Sequence, residues 1–162
     1  MPKFRIEALS AGHDRDGFSC GAEPLDRFFR QQVTQDIRRR ATSCFVAVDE
    51  ESGRVAGFYT LASGAVALTD LPEPTAKRLP RYPFVPVARL GRLAVELSFQ
   101  GFGLGGALLW DAVARASRSE LMAFALLVDA KDDQAARFYI HHGFVELGDR
   151  RLILPLGKNT FA

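Results

Sequence analysis

Four glycines, Gly101, Gly103, Gly105 and Gly106, crowd six consecutive positions. They lie within RLAVELSFQGFGLGGALLWDAV, Arg92 to Val113, between a strand-like apolar run and an amphipathic helix. Glycine at this density marks backbone that must turn sharply or approach something closely. At the opening of a helix the usual guest is phosphate. The stripe that follows, Leu104, Leu108, Leu109, Ala112, Val113 and Ala116, recurs at helical spacing.

The flanking sequence predicts strands on both sides. Residues 3–9, KFRIEAL, alternate polar and apolar and read as a first strand. After a loop rich in Gly, Asp and Ser, Pro24 opens a predicted helix. Leu25, Phe28, Phe29, Val33 and Ile37 line one face of it to about Arg40. SCFVAVD (43–49) and RVAGFYTLASGAVAL (54–68) read as a hairpin, with Gly57 or Gly64 marking a bulge or crossing point. Pro72, Pro74, Pro80, Pro83 and Pro86 then predict a packed loop holding one helical turn. VARLGRLAV (87–95) reads as strand, and LMAFALLVDA (121–130) as a central strand covered on both faces. Asp132 is the expected N-cap of a helix that ends at Gly143. FVELG and RLILPL close the chain as two strands. This order predicts a mixed α/β fold with an antiparallel first half, a single domain over residues 1–162.

Composition sets bounds. The chain is 48% hydrophobic and 25% charged, an ordinary balance for a chain that buries one core. Net charge is only +2, but its distribution is uneven. Arg27, Arg30, Arg38, Arg39 and Arg40 cluster on one segment, and Lys77, Arg78, Arg81, Arg89 and Arg92 follow with no acid among them. Cys20 and Cys44 make no disulfide framework, so a reduced, cytoplasmic protein is expected. The N-terminus carries no apolar run long enough for a signal peptide, and no membrane segment is expected. Of the three histidines, His13, His141 and His142, the last two read as surface residues beside the closing signature, and no spaced ligand set predicts a metal.

Two phosphate-binding readings compete for the glycines. Gly101, Gly103 and Gly106 fit G-x-G-x-x-G, and Asp129 ends the next strand where a dinucleotide fold places its ribose-binding acid. Against this, ELSFQ separates strand from glycine, much of the chain precedes the motif, and about 30 residues remain after Asp129. Two nucleotide-binding halves cannot be completed from that remainder.

QGFGLGG instead resembles the Q/R-x-x-G-x-G/A motif of the GNAT acetyltransferases, with Gln100, Gly103 and Gly105 at the motif positions. FYIHHGF resembles the closing signature of the same superfamily through Phe138, Tyr139, Gly143 and Phe144. The resemblance implies a GNAT fold: a mostly antiparallel central sheet with splayed central strands and flanking helices. It implies acetyl-coenzyme A as cosubstrate. The pyrophosphate would rest on the backbone from Gln100 and Gly101 through Phe102, Gly103 and Leu104 to Gly105 and Gly106. The pantetheine arm would lie along Leu93, Ala94 and Val95.

GFSCGAEPLDRFFRQQ, GFYTLASGAV, LGRLAVELSFQ, LLVDA and ARFYIHHGF together resemble the TacT-type toxins of bacterial toxin–antitoxin pairs. That resemblance implies acetylation of the α-amino group of aminoacyl-tRNA, arrest of translation, and neutralisation by a ribbon-helix-helix antitoxin. A homodimer is compatible with it. GAEPLD and DDQAARFY depart from the commonest forms of those segments, and neither removes a catalytic group. By the same resemblance Tyr139 is the acid that protonates the departing sulfur. Glu96 is open as a base or as a structural residue, and a backbone N–H near Leu93 or Val95 would polarise the thioester carbonyl. Arg38, Arg39, Arg40, Lys77, Arg78, Arg81 and Arg92 are the expected RNA-binding set. Two alternatives stand beside this one. A degenerate fold that only holds a partner would not need the intact glycine turn and Tyr139. A GNAT enzyme acting on a small-molecule amine or a protein amino group remains open.

Overall fold

The computed structural model describes residues 1–157. Seven strands form one sheet in the order β1-β2-β3-β4-β5-β7-β6. They are β1 (Phe4–Ala8), β2 (Ser43–Asp49), β3 (Val55–Ala67), β4 (Phe84–Val95), β5 (Ala125–Asp129), β6 (Val145–Gly148) and β7 (Arg151–Pro155). Helices α1 (Glu23–Arg27), α2 (Val33–Arg38), α3 (Glu73–Ala76), α4 (Leu104–Arg118) and α5 (Asp133–His141) connect them. The chain divides into two compact units, Met1–Ala62 with Leu90–Ala112, and Ser63–Arg89 with the chain from Val113 onward.

The first unit holds the predicted hairpin. β1 pairs antiparallel with β2 from Phe4↔Asp49 to Ala8↔Phe45, and β2 pairs antiparallel with β3. The long helix expected from Pro24 to Arg40 is interrupted. Phe28–Gln32 is a π-turn between α1 and α2. Phe28, Phe29 and Val33 are all buried across this interruption. It also widens the backbone, and the Arg15 guanidinium donates to the carbonyls of Phe29 (2.6 Å) and Arg30 (3.3 Å). Phe29 stacks on Phe58 at 4.3 Å, and Phe18 meets both rings edge-on. This aromatic group fixes the helical segment on β3. Gly57 is a crossing point, because a Cβ there would stand 2.9 Å from the Ala94 carbonyl and from Leu108.

The second unit has its own core of Val66, Leu71, Val85, Val87, Ala125, Leu127 and Ile153. β7 pairs antiparallel with both β5 and β6. β4 starts three residues earlier than its sequence suggests, at Phe84, and the Pro86 carbonyl accepts the Phe124 N–H at 2.8 Å. The expected strand over 121–130 shortens to Ala125–Asp129. Leu121 and Met122 belong to the preceding connection and are 80% and 83% exposed. An apolar run alone does not say where a strand begins.

Candidate active site

The glycine turn leads into the N-terminus of α4. Gly101 and Gly103 adopt φ of +89° and +77°, conformations that L side chains rarely take. A Cβ at either position would meet nothing within 4 Å, so the turn faces open space. Gly103 accepts the Ala107 N–H and so occupies the N-cap of α4 without a side chain to offer. The N–H groups of the first turn, Leu104 to Gly106, are therefore available to a ligand at the positive end of the helix dipole. The Gln100 side chain bonds to the protein on either side of the turn. Its side-chain amide donates to the Val95 carbonyl (2.9 Å) and the Cys20 carbonyl (3.2 Å). It ties the turn to the end of β4 and to the loop carrying Cys20.

That loop is held in turn by charged side chains. Asp26, 3% exposed, accepts the Cys20 N–H at 2.8 Å, and Arg30 donates to the Phe18 carbonyl at 2.8 Å. Arg30 thus serves the architecture of the loop. A free Cys44 is buried in the same unit, and burial pushes its thiol up to about 12. It remains an inert thiol at neutral pH.

Tyr139 lies in the second unit, on α5. Asp132 caps that helix as expected, accepting the Ala135 N–H at 2.8 Å, and Gly143 closes it with φ of +97°. The Tyr139 ring packs edge-on against Phe138 (5.1 Å) and Phe144 (5.3 Å), so the whole closing signature serves to fix it. Only 6% of the residue is exposed, and burial raises the pKa of the phenol above its ordinary value. Its hydroxyl has no hydrogen-bond partner among the described residues. The ring is held in place and the proton is retained.

Glu96 is 6% exposed and caps the short 3-10 turn Leu97–Phe99, accepting the Ser98 N–H at 2.8 Å. Arg54 lies 3.5 Å from the same carboxylate oxygen. Of the two roles open in the sequence, these bonds give Glu96 a structural one.

The acetyltransferase (GNAT) family pattern matches residues 9–144. This chain belongs to the GNAT family. It is 39% identical over 138 residues to a tRNA-acetylating toxin of Mycobacterium tuberculosis, across 84% of this chain and 81% of that protein. It is similar to AtaT complexed with acetyl-methionyl-tRNAfMet, with TM-score 0.87 and 28% identity over 94% of this chain and 95% of that one. It is also similar to a Tyr-to-Phe AtaT toxin bound to the C-terminus of the antitoxin AtaR and acetyl-CoA. There the TM-score is 0.78 and the identity 25%, over 94% of this chain and 93% of that one.

The basic residues of this GNAT chain divide between the two units. Arg38, Arg39 and Arg40 are exposed at the end of α2, and Arg40 has φ of +60°. A helix ending of this kind usually places Gly in that position, so an arginine there is a costly choice. Arg92 stacks its guanidinium 3.7 Å above the Phe28 ring. In the second unit Lys77 is paired with Glu73 at 3.3 Å, one helical turn away, so its charge is partly answered. Arg78 and Arg81 are exposed and make no ion pair among the described residues. Arg89 belongs to a different arrangement. It shares Asp129 with Arg151, at 3.3 and 2.8 Å, and these arginines hold the Asp129 carboxyl below its usual range. The acid that a dinucleotide reading would assign to ribose is an ion-pair partner.

His13 binds Glu7 at 2.6 Å, and His141 and His142 stand edge-on to each other at 5.2 Å. Among the described residues there is no group of His, Cys, Asp and Glu that could hold a metal, and no helix is long and apolar enough to cross a membrane.

Proposed function

We propose that this GNAT enzyme transfers the acetyl group of acetyl-coenzyme A to the α-amino group of an aminoacyl-tRNA and so stops translation. The observation that carries the reading is the glycine N-cap of α4. Two left-handed glycines leave a helix N-terminus open, with no side chain of its own to satisfy it. Similarity to a tRNA-acetylating toxin supports the choice of acceptor.

Acetyl-coenzyme A supplies the activated acyl group as a thioester. The N–H groups of Phe102 to Gly106 hold its pyrophosphate, and backbone along Leu93, Ala94 and Val95 holds the pantetheine arm. Gln100 keeps the turn in register with β4. As the N–C bond forms and the C–S bond breaks, the Tyr139 hydroxyl gives its proton to the leaving sulfur. It recovers a proton from solvent, to which the amine releases its own. The acceptor amine makes little demand for a base. A peptide α-amino group has a pKa of about 7.7–8.0, and the ester of an aminoacyl-tRNA withdraws electrons and lowers it further. Glu96 can therefore be spent on the turn it caps.

Arg38, Arg39, Arg40, Lys77, Arg78, Arg81 and Arg92 contact RNA phosphates. The reaction takes place in the cytoplasm, where charged tRNA is found. A ribbon-helix-helix antitoxin neutralises the enzyme, a role supported by the likeness to AtaT bound to the AtaR C-terminus. A cell-free translation reaction tests the reading. Enzyme with acetyl-coenzyme A should halt synthesis, and omitting acetyl-coenzyme A should restore it. Undiminished synthesis beside rapid acetylation of a small amine would overturn the tRNA assignment.

A further inference from the structure

Tyr82 and Phe84 are 68% and 63% exposed, though they stand two residues apart in an anchored segment. Single exposed aromatics are ordinary on a protein surface, but an adjacent pair at this exposure is not. The segment is not loose. The Leu68 N–H donates at 3.0 Å to the carbonyl of Pro83, the residue between Tyr82 and Phe84 in sequence. Val85 is 5% exposed in the core of its unit, and Leu79 packs against that core. The chain thus turns its aliphatic side chains inward and presents Arg78, Arg81, Tyr82 and Phe84 outward. The charged residues in this stretch of sequence are of one sign. From Pro74 through Val95 the sequence has five cations and no acid. The nearest upstream acid, Glu73, is taken by Lys77, while Arg78 and Arg81 make no ion pair among the described residues.

We infer that Tyr82 and Phe84 form a stacking platform for unpaired bases of an RNA 3′ end, with Arg78 and Arg81 on the adjoining phosphates. This rests on the reading of the chain as an RNA-modifying acetyltransferase and adds to it how single-stranded RNA is told from duplex. Phosphate contacts carry affinity without information about strandedness. Aromatic faces supply that information, because only an unpaired base offers a free face to stack on. The aminoacyl group is carried on such an end, so a platform there would position the amine as well as the RNA. An acidic peptide would answer the arginines but would leave two large rings without a matching flat surface.

The test compares two RNA probes, a short hairpin with an unpaired 3′ tail and the same hairpin with a blunt end, by fluorescence anisotropy. Wild-type protein should favour the tailed probe. In Tyr82→Ala/Phe84→Ala the tailed probe should weaken by roughly 5- to 100-fold, as loss of base–aromatic stacking predicts, with blunt binding nearly the same. Tyr82→Phe and Phe84→Tyr keep a flat ring and should restore the preference. Thermal melting identifies a variant that has not folded, and the single alanine variants then carry the measurement. Equal binding of the two probes by wild type would overturn the platform while leaving RNA binding intact. So would an unchanged tailed affinity in the folded double variant. Loss of antitoxin binding with RNA affinity retained would make the surface a protein-docking site instead. Failure of wild type to bind either probe would overturn the RNA reading itself.

Discussion

The Gln100 amide donates to the Val95 carbonyl at 2.9 Å, bridging the end of one element and the start of the next. Five residues separate the two along the chain, and between them runs the turn that Glu96 caps. A second bond from the same nitrogen, to the Cys20 carbonyl, brings in the N-terminal loop. The glycine turn is therefore held by a side chain that leaves its N–H groups free of side-chain partners among the described residues. Each hydrogen bond of this kind contributes about 0.5–1.5 kcal/mol net. Gln100→Ala should weaken acetyl-coenzyme A by roughly 3- to 30-fold in calorimetry. Unchanged affinity would mean the turn is held by its glycines alone.

Gly103 offers a sharper test, because both its backbone and its open face matter. Gly103→Val places a β-branched side chain at φ of +77° and over the approach to the N-cap. Acetyl-coenzyme A affinity should fall at least tenfold, or about 1.4 kcal/mol. Gly53 has the same φ of +77° with nothing within 4 Å, so Gly53→Val supplies the matched strain elsewhere in the unit. Equal affinity losses in the two variants would trace the effect to strain and remove Gly103 from the cofactor site.

Tyr139→Phe removes one oxygen from a ring that Phe138 and Phe144 hold in place. Turnover should fall by roughly 10²–10⁴ with acetyl-coenzyme A affinity nearly intact, since a general acid acts on the reaction and not on binding. Burial raises the folded-state pKa above the ordinary phenol value of about 10, so the folded protein keeps this proton longer than the unfolded chain. The associated stability is complete below pH ~10 and is lost as the pH rises through the folded-state value. Denaturation curves should show that alkaline loss in the wild type and a smaller one in Tyr139→Phe. Near-normal turnover in the variant would reduce Tyr139 to a packing residue.

Local spacing made the glycine turn and the Asp132 cap legible, because each is decided within a few residues of chain, whereas the Phe138–Tyr139 signature was legible only through family resemblance. The π-turn at Phe28–Gln32 was not legible, since it depends on Arg15 reaching its carbonyls from another loop. Glu96 was ambiguous for a similar reason. A carboxylate beyond a strand reads as solvated or catalytic until the fold shows which N–H it accepts. The Glu73–Lys77 pair becomes visible only once α3 is placed in a segment broken by prolines. Exposure of Tyr82 and Phe84 is a tertiary fact as well, because the sequence equally allows them to pack the loop.

Reversal of Arg78 and Arg81 to Glu tests the electrostatic half of RNA recognition. Each phosphate contact releases condensed counterions, so affinity for charged tRNA should fall steeply with salt in the wild type and more gently in the variant. Acetyl-coenzyme A binding should change less over the same series. A flat salt response with full tRNA acetylation in Arg78→Glu/Arg81→Glu would remove these arginines from the RNA interface.

The nitrogen that receives the acetyl group separates a tRNA-acetylating enzyme from one acting on small amines or proteins. The direct measurement incubates the enzyme with isotope-labelled acetyl-coenzyme A and total charged tRNA, hydrolyses the aminoacyl ester, and identifies the released amino acids by mass spectrometry. Labelled N-acetyl amino acids should appear with active enzyme and fall to background with Tyr139→Phe. Label confined to free amines or protein lysines, with every tRNA-derived amino acid unmodified, would contradict acetylation of aminoacyl-tRNA.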